Sequence, residues 1–309
     1  MSELNLLRRA FLGAVCLAGT GVATRTILGQ EPQSREQLKE PVFRVSKAAS
    51  GDAQGAARAE QAAEHPLDAA LEIAYNGLKH IHSSIADYTC TFVKRERIKN
   101  KLGDYEYMFA KVRNRQMAGD SIKVPFAIYL YFLKPDSVKG REVIYIEGEN
   151  NGKMVAHEGG LKGSFLPTVW IKPDSTLAMA GNRYPITEAG IETLVQRLIE
   201  KGERDRKRDE CQVEFRKNAK INGRVCTLLK VIHPVEREYF DFHRAEIFID
   251  DELQIPVRYA AFSWPSSPGG EAQLLEEYTY LNMKLNVGLR PIDFDHTNPD
   301  YAFVAKKKG

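Results

Sequence analysis

The chain has 309 residues, 28% of them charged, and its 44 Lys and Arg face 41 Asp and Glu, so the formal net charge is only +3. That near balance gives no electrostatic footprint for nucleic acid or for an anionic membrane surface. Hydrophobic residues make up 43% of the chain, enough for a full single-domain core.

The first stretch, NLLRRAFLGAVCLAGTGVATR from Asn5 to Arg25, places Arg8 and Arg9 before an uncharged run. The run is too short to span a bilayer, which takes about 20 apolar residues. It reads as an export signal, covering residues 1–29. Arg-Arg-Ala-Phe-Leu is similar to the core of the twin-arginine motif, although Leu7 and Gly13 replace two of its usual residues. Twin-arginine export is therefore favoured over the general secretory route. Gly-Ala-Val before Cys16 makes a poor lipid-anchor site, and cleavage fits either after Ala23 or near Gly29. Residues 30–65, rich in Gln, Glu, Ala, Ser and Arg, bury too little apolar surface to offset chain entropy and read as a disordered tether. Residues 66–303 read as one domain, and Lys306, Lys307 and Lys308 as a solvated basic tail (304–309). No stable transmembrane span is expected in the mature chain.

The domain opens on a helix over about residues 67–85, where Leu67, Ala70, Leu71, Ala74, Leu78, Ile81 and Ile85 make one apolar stripe. The period then changes to two. Tyr88, Cys90 and Phe92 alternate with threonines, and Tyr105, Tyr107 and Phe109 continue on the same face as Lys111, Arg113 and Arg115. FAIYLYFL (126–133) and VIYI (143–146) are apolar on both faces and need cover on both. Asn150-Asn151-Gly152 turns the chain into Met154–His157. A second helix is predicted over 188–201 from Ile191, Leu194, Val195, Leu198 and Ile199, with Thr187 as N-cap and the charge run EKGERDRKRDE as a solvated end. Strands follow over 211–220, 225–233, 244–250, 255–264 and 273–285, with Pro256 marking a strand start or an edge. No alternation of strands and helices suggests a parallel sheet. The fold class is mainly antiparallel β (α+β): a curved half-barrel sheet with about two helices on its concave face.

Three segments carry a resemblance. FLKPDSVKGREVIYIEGENNGKMVAHEGG, GNRYPITEAGIETL and YTYLNMKLNVGLRPIDFD resemble an uncharacterised exported bacterial family, domain of unknown function fifteen-seventy-one, over most of residues 86–303. Tyr184 departs from it, since the family often has His there. Leu133-Lys134-Pro135 and Asn151-Gly152-Lys153 are also similar to the LolA/LolB and MucB/RseB superfamily of periplasmic proteins. That second resemblance implies a half-open barrel with helices plugging its mouth, used to hold acyl chains or to sense lipoprotein.

Motifs for chemistry are sparse. There is no Gly-x-Ser-x-Gly elbow, no phosphate loop and no His-Glu-x-x-His. His157-Glu158 at a strand end, and Asp241 with His243 beside Glu246, are the residues a hydrolase would use, but neither brings a nucleophile with an oxyanion donor. Asp293, Asp295 and Asp300 form the densest group of oxygen ligands and the one calcium candidate, against an Asx-turn reading of the same residues. No cofactor is implied. Cys211 and Cys226 flank a hairpin and are the candidate disulfide in an oxidising compartment, although an Asn222-Gly223 turn would set Cys211 opposite residue 234.

The expectation is thus a non-enzymatic envelope protein. Its concave face would be lined by Tyr105, Tyr107, Phe109, Phe126, Ile128, Leu130 and Phe132. It would hold a lipid or a lipid-modified partner, with Lys111, Arg113 and Arg115 meeting an anionic headgroup. The alternatives are an interaction scaffold with a plugged barrel, or a hydrolase.

Overall fold

The computed structural model describes residues 40–41, 43–45, 65–267 and 269–303. The export stretch, most of the proposed tether and the basic tail lie outside these residues. Among the described residues no helix is long and apolar enough to cross a membrane.

The strands are β1 (Phe43–Arg44), β2 (Asp87–Ile98), β3 (Lys101–Leu102), β4 (Glu106–Arg113), β5 (Gln116–Ala118), β6 (Ser121–Val124), β7 (Ala127–Lys134), β8 (Glu142–Ile146), β9 (Met154–His157), β10 (Val169–Ile171), β11 (Gln212–Ile221), β12 (Arg224–Ile232), β13 (Arg244–Asp250), β14 (Pro256–Phe262) and β15 (Leu274–Leu285). The helices are α1 (Asp68–Ser84), the short α2 (Gly160–Phe165) and α3 (Ile191–Arg206). One sheet runs β1-β11-β12-β13-β14-β15-β2-β4-β7-β8-β9-β10, with β3 on β2 and a separate β5-β6 hairpin. Every pairing is antiparallel. The two ends of the path do not pair with each other, so the sheet stays open.

Helices α1 and α3 lie antiparallel. Asp68 meets Arg206 at 2.6 Å, Tyr75 meets Glu203 at 3.0 Å and His82 meets Glu192 at 3.0 Å. Gly202 permits the close approach, because a Cβ there would stand 2.8 Å from Leu71 Cδ2. The pair bridges the two arms of the sheet. Leu67, Ala70 and Leu71 pack with Leu229, Val231, Ala245 and Ile247 on one arm. Ile81, Ile191 and Val195 pack with Ile128, Leu130, Val143 and Met154 on the other. The result is the open half-barrel with helices on its concave face.

The α3 N-terminus sits three residues later than the helical pattern predicts, and its cap is not Thr187. Gly190 precedes the helix at φ 102°, with no side-chain cap on the preceding residue. The Ile191 N–H instead donates to the buried Tyr88 hydroxyl, 3.1 Å away on β2. A tertiary contact thus satisfies the donor that a local cap usually takes. At its other end α3 runs on through the charge run to Arg206, because Asp205 is buried there and faces His233 Nε2 at 3.4 Å.

The convex face has its own cover. The C-terminal segment crosses β7 and β8, where Tyr301 stacks on Tyr129 at 4.1 Å and Phe294 and Phe303 join Ala127, Ile144 and Ile146. Farther along, Phe43 meets Phe248 edge-on at 5.9 Å and lies 4.1 Å from the guanidinium of buried Arg258. Phe43 belongs to the stretch read as a tether, yet it pairs with Ile221 in β1, where its ring leans on these two side chains and stays exposed on its other side.

Candidate functional site

The period-two alternation of β2, β4 and β7 decides which side chains can share a site. Phe126, Ile128, Leu130 and Phe132 face α1 and α3 with Met108, Ala110 and Val112. Tyr105, Tyr107 and Phe109 do not: they lie on the convex face, in clusters that hold no residue of either helix. The expectation that both rows line one concavity is corrected here, because Met108 and Tyr107 are neighbours in sequence and must point to opposite faces.

Lys111 and Arg113 follow Phe109 to the convex side, while Arg115 lies past the end of β4. Lys111 Nζ binds Asp293 Oδ1 at 2.7 Å, Arg113 covers the Phe294 ring and donates to the Pro125 carbonyl, and Arg115 forms a two-point bridge to Glu147 at 2.6 and 2.8 Å. These cations fasten loops and the C-terminal segment, so no headgroup site is assembled from them. Burial raises the Asp293 carboxyl, but Lys111 and the Arg290 N–H outweigh it and hold the group below the usual range. Asp295 is tied up as an acceptor from the Thr297 N–H and hydroxyl, each at 2.8 Å, and the Asp300 N–H donates to Asn298 Oδ1. Asp293, Asp295 and Asp300 are therefore corrected from calcium ligands to turn and ion-pair residues. Among the described residues no group of three or more His, Cys, Asp or Glu converges on a metal position.

Cys211 and Cys226 are both free thiols. The Ile221↔Arg224 pairing around Asn222-Gly223 sets Cys226 opposite Ala219, while Gln212 pairs with Ile232 at the far end of the hairpin. The disulfide expectation is corrected by that register. Burial pushes both thiols up to about 11.

His157 is buried, with Nδ1 3.4 Å from the Thr168 hydroxyl and its ring 6.3 Å from Phe303. Asp241 binds Lys201 and Arg204, and His243 Nδ1 pairs with the His233 carbonyl, so Asp241 and His243 form no carboxylate–imidazole pair.

The concave side holds a cavity of about 390 Å³ between the sheet, α3 and the segment from Pro173 to Gly190. Leu130, Phe132, Val143, Met154, Leu194 and Ile186 give it apolar walls. Aromatic rings floor it: Phe92 stacks on Tyr280 at 5.1 Å and lies parallel to Tyr278 at 6.1 Å, and Tyr278 is parallel to Tyr259 at 6.3 Å. Of the row assigned from sequence, Leu130 and Phe132 reach this wall, while Phe126 and Ile128 lie in the adjoining core.

One end of the cavity is polar, and it was not anticipated. Lys94, Glu96, Asn182, Tyr184, Glu276 and Tyr278 line it. Lys94 binds Asn182, lies 3.0 Å from Glu106 and 3.6 Å from Glu96, and Tyr278 donates to Glu96 at 2.6 Å. Arg183 Nε stands 2.8 Å from Glu276, and the Arg183 backbone N–H donates to Glu96 at 3.0 Å. Tyr184 donates to Glu276 at 3.3 Å. Burial and the adjacent carboxylates push the Tyr278 and Tyr184 hydroxyls far up, so both remain donors. The signal in the sequence was the alternation Phe92-Lys94-Glu96 and Glu276-Tyr278-Tyr280, which puts aromatic and charged side chains on one face.

Residues 85–303 match the family model described as Protein of unknown function (DUF1571). The chain belongs to this family. The match takes in every wall of the DUF1571 cavity, from Phe92 to Tyr280. No curated protein matches the DUF1571 chain. Among solved structures it is similar to a DUF1329 family protein from Desulfovibrio piger, at 12% identity over 75% of this chain and 98% of that one, with a TM-score of 0.37. The MucA/MucB complex of Pseudomonas aeruginosa aligns at 14% identity over 73% of this chain and 60% of the other, TM-score 0.40. A LolA superfamily protein from Nitrosomonas europaea aligns at 9% identity over 72% and 96%, TM-score 0.29.

Proposed function

We propose that this DUF1571 protein is a non-enzymatic binding protein of the cell envelope that takes the acyl chain of a lipid or of a lipid-modified partner into its concave cavity. The observation that carries the reading is the apolar hollow of about 390 Å³ left between the sheet and α3. That volume lies in the range of ligand pockets, which run from about 300 to 1,000 Å³. Each methylene moved into it from water contributes about 0.8 kcal/mol. The envelope assignment rests on Arg8, Arg9 and the short apolar run behind them.

The test is to strip the purified protein of lipid, expose it to an envelope lipid extract and weigh it by native mass spectrometry. Acyl-lipid adducts are expected on the parent protein. Ala156→Trp, which projects an indole from β9 into the hollow, is expected to lose them while keeping its circular dichroism spectrum. A folded parent protein that emerges without adducts overturns the reading.

A further inference from the structure

The shape of the cavity limits how many chains it holds. From Tyr259 to Val169 its wall crosses the neighbouring strands β14-β15-β2-β4-β7-β8-β9-β10. Along the strands it is narrow, and narrowest on β4. There Met108 alone reaches the hollow. Ala110, the next residue on that face, is packed in the core, and Glu106, the one before, is bound to Lys94. Residues two apart on a strand lie about 6.6 Å apart, while a hydrocarbon chain touches its neighbours at about 4–4.5 Å. One chain passes over Met108. A second beside it would have to lie where Ala110 meets the core, or against the Glu106–Lys94 pair.

Volume sets the same limit independently. A dry apolar cavity of about 150 Å³ admits benzene, which has six carbons. At that ratio the hollow of about 390 Å³ takes roughly 15 carbons. A second hollow of about 80 Å³, between α1, α3 and the arm that carries Leu229 and Ile247, takes roughly three and seats no second chain. The walls are anchored. Tyr88 holds the α3 N-terminus, Asp68 joins the far end of α3 to α1 through Arg206, and Asn182 and Arg183 fasten the 173–190 segment to Lys94 and Glu276. Widening the trough means breaking one of these anchors.

We propose that the cavity takes one acyl chain, of about 15 carbons at most, so that its ligand is a single-chain amphiphile and any further chain of a larger lipid stays outside. This rests on the binding function proposed above and adds the number and the length of the chains. Methylenes beyond the limit remain in water and contribute nothing to affinity.

The experiment uses the full protein, stripped of lipid and loaded with the uncharged fluorophore N-phenyl-1-naphthylamine. Lysophosphatidylcholines with one saturated chain of eight to eighteen carbons, each below its critical micelle concentration, compete for the site. The concentration for half displacement is expected to fall about fourfold per added methylene and to level off by roughly 15 carbons. Native mass spectrometry with an excess of the dodecanoyl member is expected to show one adduct. Ala178→Phe adds a ring where the 173–190 segment lines the hollow, and is expected to bring the break forward by about six carbons, with the melting temperature recorded alongside. A fourfold fall that continues to eighteen carbons, two dodecanoyl adducts on the folded protein, or an unshifted break in folded Ala178→Phe overturns the proposal. The series on the unmodified protein decides this even where the variant fails to fold. A protein that takes up neither the fluorophore nor any lysolipid overturns the binding function itself and this inference with it, a distinct outcome.

Discussion

The two faces of the central strands are built from adjacent residues and have opposite fates. On the concave face Met108, Ala110, Ile128 and Leu130 meet two helices, which plug part of the hollow and leave the rest as a cavity. On the convex face Phe109, Tyr129, Ile144 and Ile146 meet an irregular C-terminal segment held by Tyr301, Phe294 and the Lys111–Asp293 bridge. In β7 and β8 both faces are apolar in sequence. The difference teaches that burial on a sheet is set by what crosses it. A rigid helix spans a curved surface and leaves a gap, whereas an extended segment follows the surface and closes it.

The largest effect that separates the faces is expected from Leu130→Arg. It places a guanidinium among Ile128, Val143 and Met154 with no partner, a situation that costs about 3–5 kcal/mol, measurable as a shift of the urea midpoint at constant slope. An unchanged midpoint together with unchanged lipid uptake would remove β7 from the concave wall. Next comes Tyr301→Ala, which deletes the ring stacked on Tyr129 and the bond from its hydroxyl to the Asp293 carbonyl. Loss of a buried aromatic costs about 3 kcal/mol, and here it should leave ligand capture by the folded protein intact, since the convex face lies across the sheet from the cavity. Impaired capture at full folding would break the division of labour between the faces.

Acid gives the smallest and sharpest comparison. Burial lowers the basicity of His157, on the C-terminal segment's side, with Glu158 opposing it. Burial likewise lowers that of His233, where the hydrogen bond to the Phe242 carbonyl and the Asp205 charge oppose it. A histidine whose folded pKa is depressed favours the fold while neutral. Its contribution is fully present above the unfolded value of about 6.5 and is lost as pH falls through the folded value. The melting temperature should therefore fall as pH is lowered from 7.5 to 5. His157→Gln and His233→Asn should each flatten that fall, even if either lowers the starting value. A fall just as steep in the double variant would show that neither imidazole controls it.

Much of the fold was legible because it rests on local periodicity. The apolar stripes of α1 and α3, the alternation in β4 and β13, and the Asn-Gly turn between β11 and β12 are each visible within a few residues. Partners distant in sequence were not legible. Thr187 was a reasonable N-cap by composition, but Tyr88, 103 residues away, holds the α3 N-terminus. The charge run that contains Asp205 looked solvated, but His233 gives Asp205 a buried neighbour. Of the row expected on the concave side, Leu130 and Phe132 reach the cavity wall, since a two-sided apolar strand must face the helices somewhere. Glu96 and Glu276 were missed because charged residues on a strand ordinarily face water.

By itself the sequence determined an antiparallel class, two amphipathic helices and the family. These follow from side-chain chemistry repeated at fixed spacing along the chain. Only the tertiary structure decided which side of each strand faces the helices, that Lys111, Arg113 and Arg115 serve as fasteners, and that two glutamates close one end of an apolar hollow. A period of two says that neighbouring residues point apart. Which of them points inward depends on what packs against the sheet, and that is a property of the assembled chain.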